Sequence, residues 1–346
     1  MNICHVNLAS GFSGGERQTL QLIKQQVSEG YQLTVVMNPK SALVDEVRKL
    51  GCNIILAKHF TAMHSKKITQ NCALIHVHEG RAIYWALIQH LLYGIPYIVT
   101  RRIDNPLKNK WLSNLAYRKA AALVGLSREI VSKLEERHPS NKIFKIPSSP
   151  VSYPVDEHKV EKIHNEFRGK FIVIHAANML KHKGFDTTVA AAKILGISNP
   201  RIAFLLLGDG PERNTLEHDA RGLTNIRFMG KQSDMGSMFA AADLLIHPSY
   251  SEGLGSVILE GIVAGLPVIG SNAGGIPDII EHEVSGLLCE PGNAKQLAQQ
   301  IDQLERDKIL RHNIKTGAKE KLKQFDIAYT ATLYKDIYTK VMSNSL

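Results

Sequence analysis

Short apolar stretches alternate with amphipathic segments from one end of the chain to the other, and nothing else in the sequence restricts its fold as strongly. NICHVNL reads as a strand, ERQTLQLIKQQVSE as a helix stopping at Gly30, YQLTVVM as a strand and SALVDEVRKLG as a helix ending at Gly51. NIILA, ALIHVH, YIVT and AALVGLS continue the strands, with helices over RAIYWALIQHLLYG and Trp111 to Ala121. Alternation of this kind predicts a parallel sheet covered by helices on both faces. The pattern breaks at PSSPVSYPVDEH, where Pro147, Pro150 and Pro154 prevent regular structure, and residues 151–169 are expected as a linker. It then restarts with KFIVIHAAN, a helix over Thr187 to Leu195, RIAFLLLGDG, IRFMG, a helix at Ser233 to Ala242, DLLIHPS, and a helix closing at Gly265. LPVIGS, a short helix after Gly275, GLLCE and a long helix from Asn293 complete it. The 346 residues therefore predict an α/β protein of two doubly wound domains, 1–150 and 170–326. Ligands are expected off the carboxyl ends of the strands, in a cleft where the two sheets face each other. A last helix, over about 327–346, carries Tyr329, Leu333, Ile337 and Val341 at helical spacing and is expected to pack back on the first domain.

Composition removes several function classes. There is no run of 18 apolar residues and no signal-peptide pattern at the N-terminus, so a cytoplasmic protein is expected. Cys4, Cys52, Cys72 and Cys289 form no CxxC pair, which suggests neither a zinc site nor a disulfide framework. The net charge of +10 is uneven: residues 1–150 hold 20 Lys and Arg against nine Asp and Glu, and the remainder is close to neutral. Such asymmetry points to an anionic partner for the first domain, a membrane surface or an anionic substrate. A nucleic-acid binder would explain the charge, but no helix-turn-helix, RNA-recognition or zinc-finger signature is present and no nucleic-acid partner is expected.

The strongest local signal is SYSEGLGSVILEGIVAGLPVIGSNAGGIPDII, residues 249–280. Gly253 and Gly255 allow a tight loop after a strand, and a helix begins near Ser256. Its free N-terminal amides and partial positive charge suit a diphosphate. Glu252 in the loop and Glu260 one turn into the helix can accept hydrogen bonds from sugar hydroxyls. This segment resembles the signature of retaining glycosyltransferases of the two-Rossmann-domain (GT-B) type, family 4, whose E-x7-E pattern is matched by Glu252 and Glu260. The resemblance implies that Glu252 binds the donor hexose, that Glu260 binds the ribose, and that Gly253, Leu254, Gly255 and Ser256 lie near sugar and phosphates. It covers nearly the whole chain, with the first domain as acceptor domain and the second as donor domain.

Other segments fall where the resemblance requires them. FSGGERQTL places Gly14 and Gly15 in a turn where a ligand can approach the backbone, similar to the loop that closes over the donor phosphate. ANMLKHKGFD resembles the phosphate-binding segment: Lys183 matches its diphosphate-binding lysine, Asn178 stands where many members have Arg, and Lys181 is the nearest replacement. In IHVHEGR, His78, with His76 as the alternative, matches a histidine facing donor sugar and acceptor; a buried core histidine is the plainer reading. Arg101 and Arg102, after the next strand, are candidates to hold an anionic acceptor. Backbone near Gly208 and Met229 resembles the turns bordering the nucleotide. No two aspartates are separated by a single residue, so the DxD manganese motif is absent and a metal-independent transfer is expected, with no cofactor beyond the donor, taken as a UDP sugar. Lys183, Glu252 and His78 are the candidate catalytic residues. The expected acceptor is an anionic glycan or glycolipid of lipopolysaccharide or other surface-glycan synthesis, reached from the inner face of the cytoplasmic membrane. A nucleotide-sugar epimerase or a phosphorylase would share this fold.

Overall fold

The computed structural model describes all residues except 13, 104–106, 108, 109 and 344–346, and all their side chains except that of Thr69. The chain forms two compact units, Met1–Ser149 with Phe325–Leu346 and Pro150–Gln324.

The first unit is built on β1 (Asn2–Asn7), β2 (Gln32–Met37), β3 (Asn53–Leu56), β4 (Leu74–Val77), β5 (Tyr97–Arg101), β6 (Ala122–Gly125) and β7 (Ile143–Lys145), all parallel, in the order β3-β2-β1-β4-β5-β6-β7. The second is built on β8 (Phe171–Ala176), β9 (Ile202–Leu207), β10 (Ile226–Gly230), β11 (Leu244–His247), β12 (Val268–Ser271) and β13 (Leu287–Cys289), also parallel, in the order β10-β9-β8-β11-β12-β13. Helices cover both faces of such sheets, which is why β4, β6, β9, β11 and β12 are buried along their whole length and are mostly apolar. In the first unit Ile3, Val35, Met37, Ile98 and Val124 pack with Ile23 of the helix Gly14–Ser28. In the second, Phe204, Leu206, Ile246 and Ile269 pack with Leu195 and Ile301. Each sheet has one point where strand order reverses, between β1 and β4 and between β8 and β11. There the helices leave toward opposite faces and open a crevice at the carboxyl ends of the strands.

The alternation read from sequence is present, with corrections. The expected linker 151–169 holds the helix Glu157–Glu166, capped by the Asp156 carboxylate, which accepts from the amides of His158 and Lys159; Val160 and Ile163 are buried beneath it. The prolines end at 154, so nothing prevents a helix from starting two residues later. The helix expected from Asn293 is two, Ala294–Arg306 and Lys308–Leu322, because Asp307 ends the first in extended conformation and caps the second. The short strand β7 and the helix Arg128–Arg137 before it were not anticipated. The last helix, Ile327–Met342, lies against Gly14–Ser28 and buries Thr330, Ala331, Tyr334, Ile337, Tyr338 and Val341. Tyr329, expected in its apolar stripe, is 51% exposed, since the buried face is turned one residue onward.

Candidate active site

The first candidate group to be fixed is Lys183. After β8 the chain makes a short 3-10 turn, Lys181–Lys183, and then Gly184 at φ 72° starts the helix Phe185–Ser198. A Cβ on Gly184 would fall 1.9 Å from the carbonyl oxygen of Pro248, so only glycine lets this turn settle against the end of β11. The amide of Tyr250 donates to the carbonyl of His182 at 2.8 Å and fastens the two loops together. As a result Lys183 Nζ donates to Glu252 Oε2 at 2.6 Å. His247, the last residue of β11, donates from Nε2 to the same oxygen at 2.8 Å. The backbone of Glu252 is held from the other side: the amide of Gly275 donates to its carbonyl, and a Cβ on Gly274 would lie 2.2 Å from that carbonyl oxygen. The AGGIP segment thus clamps the loop that carries Glu252.

Burial would push the Glu252 carboxyl up; the hydrogen bond and charge of His247, with those of Lys183, outweigh it and bring it down to about 2. The carboxylate is therefore ionised, and with 16% of its side-chain surface open it remains reachable. Next to it Gly253, Leu254 and Gly255 are buried in the loop, and the helix Ser256–Val263 begins at Gly255 with no side chain capping its amides. Glu260 stands half-buried on the second turn of that helix. Lys181 and Asn178 are exposed on the turn after β8. Gly208 and Met229 lie at the carboxyl ends of β9 and β10; the Met229 carbonyl already accepts from Gln232 Nε2 at 2.6 Å. Of the predicted residues of the second unit, Lys183 and Glu252 are brought into contact at the reversal between β8 and β11, while Gly208 and Met229 lie at the ends of β9 and β10, farther along the sheet. The residue missed was His247, five positions before Glu252 at the end of β11.

In the first unit the reversal between β1 and β4 brings Gly14, Gly15, His78 and Arg102 together. Gly14 and Gly15 open the helix Gly14–Ser28, and Arg102 Cδ lies 3.7 Å from where a Cβ on Gly15 would be. His78 follows β4 and is only 2% exposed; it is joined to His5 and His76, which face each other across β1 and β4. Hydrogen-bond directions fix the tautomers. An amide oxygen only accepts, so His5 Nε2 donates to Gln26 Oε1 at 2.8 Å, leaving His5 Nδ1 to accept from His78 Nε2 at 2.8 Å. His78 Nδ1 then accepts from Arg102 at 3.3 Å. Gln26 Nε2 donates to the Tyr338 hydroxyl at 3.1 Å, and His76 bridges two hydroxyls, Nδ1 to Tyr338 at 2.7 Å and Nε2 to Thr100 at 2.8 Å. Burial lowers all three histidines, His5 to about 4 and the others well below their usual range, so the cluster is neutral. One ring nitrogen from each lies within 4.8 Å of the others, a spacing metal sites use, yet all six nitrogens have protein partners and a guanidinium closes one end. Arg101 ends β5 and donates to the Tyr117 hydroxyl at 3.2 Å. Both arginines are half-buried, and the Nε of Arg102 has no partner among the described residues. Lys108, one of the basic residues that give residues 1–150 their positive excess, lies outside the described residues.

Two parallel Rossmann-like units make up a fold shared with solved glycosyltransferases of the GT-B kind, and the match to a glycosyltransferase family model falls within the second unit. Residues 156–321 match the family model described as Glycosyl transferases group 1. The chain is similar to the N-acetyl-alpha-D-glucosaminyl L-malate synthase of Bacillus anthracis, 31% identical over 229 residues that span 64% of this chain and 60% of that protein. It is also similar over nearly its whole length to an Escherichia coli UDP-Gal:alpha-D-GlcNAc-diphosphoundecaprenol alpha-1,3-galactosyltransferase, 25% identical across 99% of this chain and 98% of that one. Among solved structures, Anabaena HepE in complex with UDP superposes with a TM-score of 0.84 at 19% identity, covering 98% of this chain and 100% of that one, a likeness of fold.

Proposed function

We propose that the protein is a retaining glycosyltransferase of family 4 that transfers a sugar from a UDP sugar to an anionic glycan or glycolipid acceptor in surface-glycan synthesis. The observation that carries this reading is the Lys183–Glu252 pair at the switch point of the second sheet, beside the uncapped start of the helix Ser256–Val263. Lys183 and those amides supply positive charge where the leaving diphosphate develops negative charge, and Glu252 takes hydroxyls of the transferring sugar. Glu260 takes the ribose, and Gly208 and Met229 border the base. Gly14 and Gly15, which open a helix of the first unit, carry amides of the kind that bind phosphate. With this charge complement the transfer needs no metal ion. Retention of configuration follows from the signature the loop resembles.

Arg101 and Arg102 are assigned to an anionic acceptor, and the half-buried Arg102 beside His78 supports this. The Bacillus relative is named for L-malate and the Escherichia relative for a diphosphoundecaprenol, both anions. No described helix is long and apolar enough to cross a membrane. Contact with an anionic bilayer is instead assigned to the basic surface of the first unit, where Trp111, 75% exposed, follows Lys110. The decisive experiment is a thermal-shift series with UDP, UDP sugars and other nucleotides. A ligand at a hundred times its Kd adds about 2.7 kcal/mol to the folded state. UDP and one UDP sugar are expected to raise the Tm, and EDTA to leave transfer unchanged; no shift with any nucleotide would remove the reading.

A further inference from the structure

Glu252 has two donors on one oxygen. Lys183 Nζ and His247 Nε2 both reach Oε2, and no described residue donates to Oε1. The carboxylate is therefore held by one oxygen and presents the other. The two donors differ in what else they can do. Lys183 sits on a turn, 18% exposed, and a diphosphate arriving at the switch point competes for its charge. His247 is inside the sheet, 1% exposed, and paired in register with Gly270. Its Nδ1 is buried with no partner, so its only hydrogen-bonding partners are Glu252 and Ser249, whose hydroxyl lies 3.2 Å from the same Nε2. A leucine would fill this strand end without leaving a ring nitrogen unsatisfied. The contact with Glu252 is what a histidine contributes here.

We infer that His247 is a positioning residue: it keeps Glu252 Oε1 turned toward the hydroxyls of the donor sugar after the donor diphosphate has drawn Lys183 off Oε2. The inference rests on the donor site proposed above. In the empty site the two donors share the carboxylate; in the loaded site the lysine neutralises phosphate and the histidine alone holds Glu252. The nucleotide part of the donor does not depend on His247, and the sugar part does.

The test compares two substitutions, His247→Leu, which removes the N–H, and His247→Gln, which returns an N–H near the position of Nε2. Affinities are measured for UDP alone and for UDP-glucose, UDP-galactose and UDP-N-acetylglucosamine. In His247→Leu the gain in affinity from the sugar is expected to fall at least tenfold while UDP affinity stays within twofold, and His247→Gln recovers most of the gain. Equal loss for UDP and UDP sugar, or no loss for either, overturns the inference. If the unaltered protein binds none of these, the donor-site reading has failed, and the pairing is then read without ligand. The Glu252 carboxyl is titrated by carbon NMR in glutamate-labelled protein, where His247→Leu raises its midpoint by at least one pH unit and His247→Gln by less. An unmoved midpoint overturns the inference whatever the ligand.

Discussion

A buried neutral histidine makes a fold sensitive to acid, and the first unit has three in contact. In the unfolded chain each takes a proton near its ordinary value of 6.5, whereas His5 in the folded state resists protonation down to about 4. Its folded value is depressed, so the unfolded state binds more protons as pH falls below 6.5. Stability is therefore full above 6.5 and is lost progressively toward pH 4. For His5 alone this is about 3 kcal/mol, at roughly 1.4 kcal/mol for each pH unit of displacement. Urea unfolding at pH 7 and pH 4.5 is expected to show a larger loss in the unaltered protein than in His5→Gln, and an identical loss in both would mean that the ring is charged in the fold. At this scale Lys183 and Glu252, which folding brings into contact, were legible because they sit in recognisable strings beside glycines. His247 was not, since DLLIHPS reads as a buried strand and a partner five residues ahead follows no helix or strand period. His78 was found by position, but its fixed tautomer depends on Gln26 and Tyr338, residues brought to it only by folding.

At the scale of single elements, the last helix separates what periodicity reveals from what packing decides. Tyr329, Leu333, Ile337 and Val341 recur at helical spacing and disclosed the helix, while the side chains that enter the core are Ala331, Tyr334, Ile337, Tyr338 and Val341. Tyr334 and Tyr338 reach polar partners, Thr100 and Gln26, inside the core, and tyrosines so placed look no different in sequence from exposed ones. Ile337→Ala is expected to cost about 2–5 kcal/mol, the range for deleting a buried aliphatic side chain. Tyr329→Ala should stay within about 0.5 kcal/mol, as surface changes do. Denaturation midpoints of the two variants decide it; equal losses would mean the buried face is assigned wrongly. The helix Glu157–Glu166 went unread for a different reason: three prolines drew the segment toward a linker, although Asp156 ahead of Val160 and Ile163 spells a capped helix with a narrow apolar face.

For the molecule as a whole, charge is segregated along the sequence, with the excess in residues 1–150. Ile103, 56% exposed, and Trp111 lie in the same stretch as Arg101, Arg102 and Lys110, a combination of apolar and basic groups suited to a bilayer surface. Lys66 and Lys67 start the helix Lys66–Asn71 and add to the first unit's positive charge. Attraction between exposed charges decays over about 8 Å at physiological salt. Co-sedimentation with anionic vesicles is therefore expected to fall as salt rises, and neutral vesicles to bind weakly throughout. Equal binding to both would leave the charge without this role. The two-domain organisation itself was legible, because strand–helix alternation is a property of every segment and needs no distant contact.

The first unit draws its core from both ends of the sequence, Met1–Ser149 and Phe325–Leu346, with the whole second unit written between them. During synthesis the ribosome delivers β1 to β7 long before Tyr334, Ile337, Tyr338 and Val341, which close the same core. At about 5–20 residues per second the intervening stretch takes roughly ten to forty seconds to emerge. For that interval the nascent first unit presents an apolar groove along the helix Gly14–Ser28 and a histidine cluster short of its Tyr338 hydroxyl. The second unit, contiguous in sequence, meets no such delay, so the later-made half of this protein is the one positioned to finish folding first.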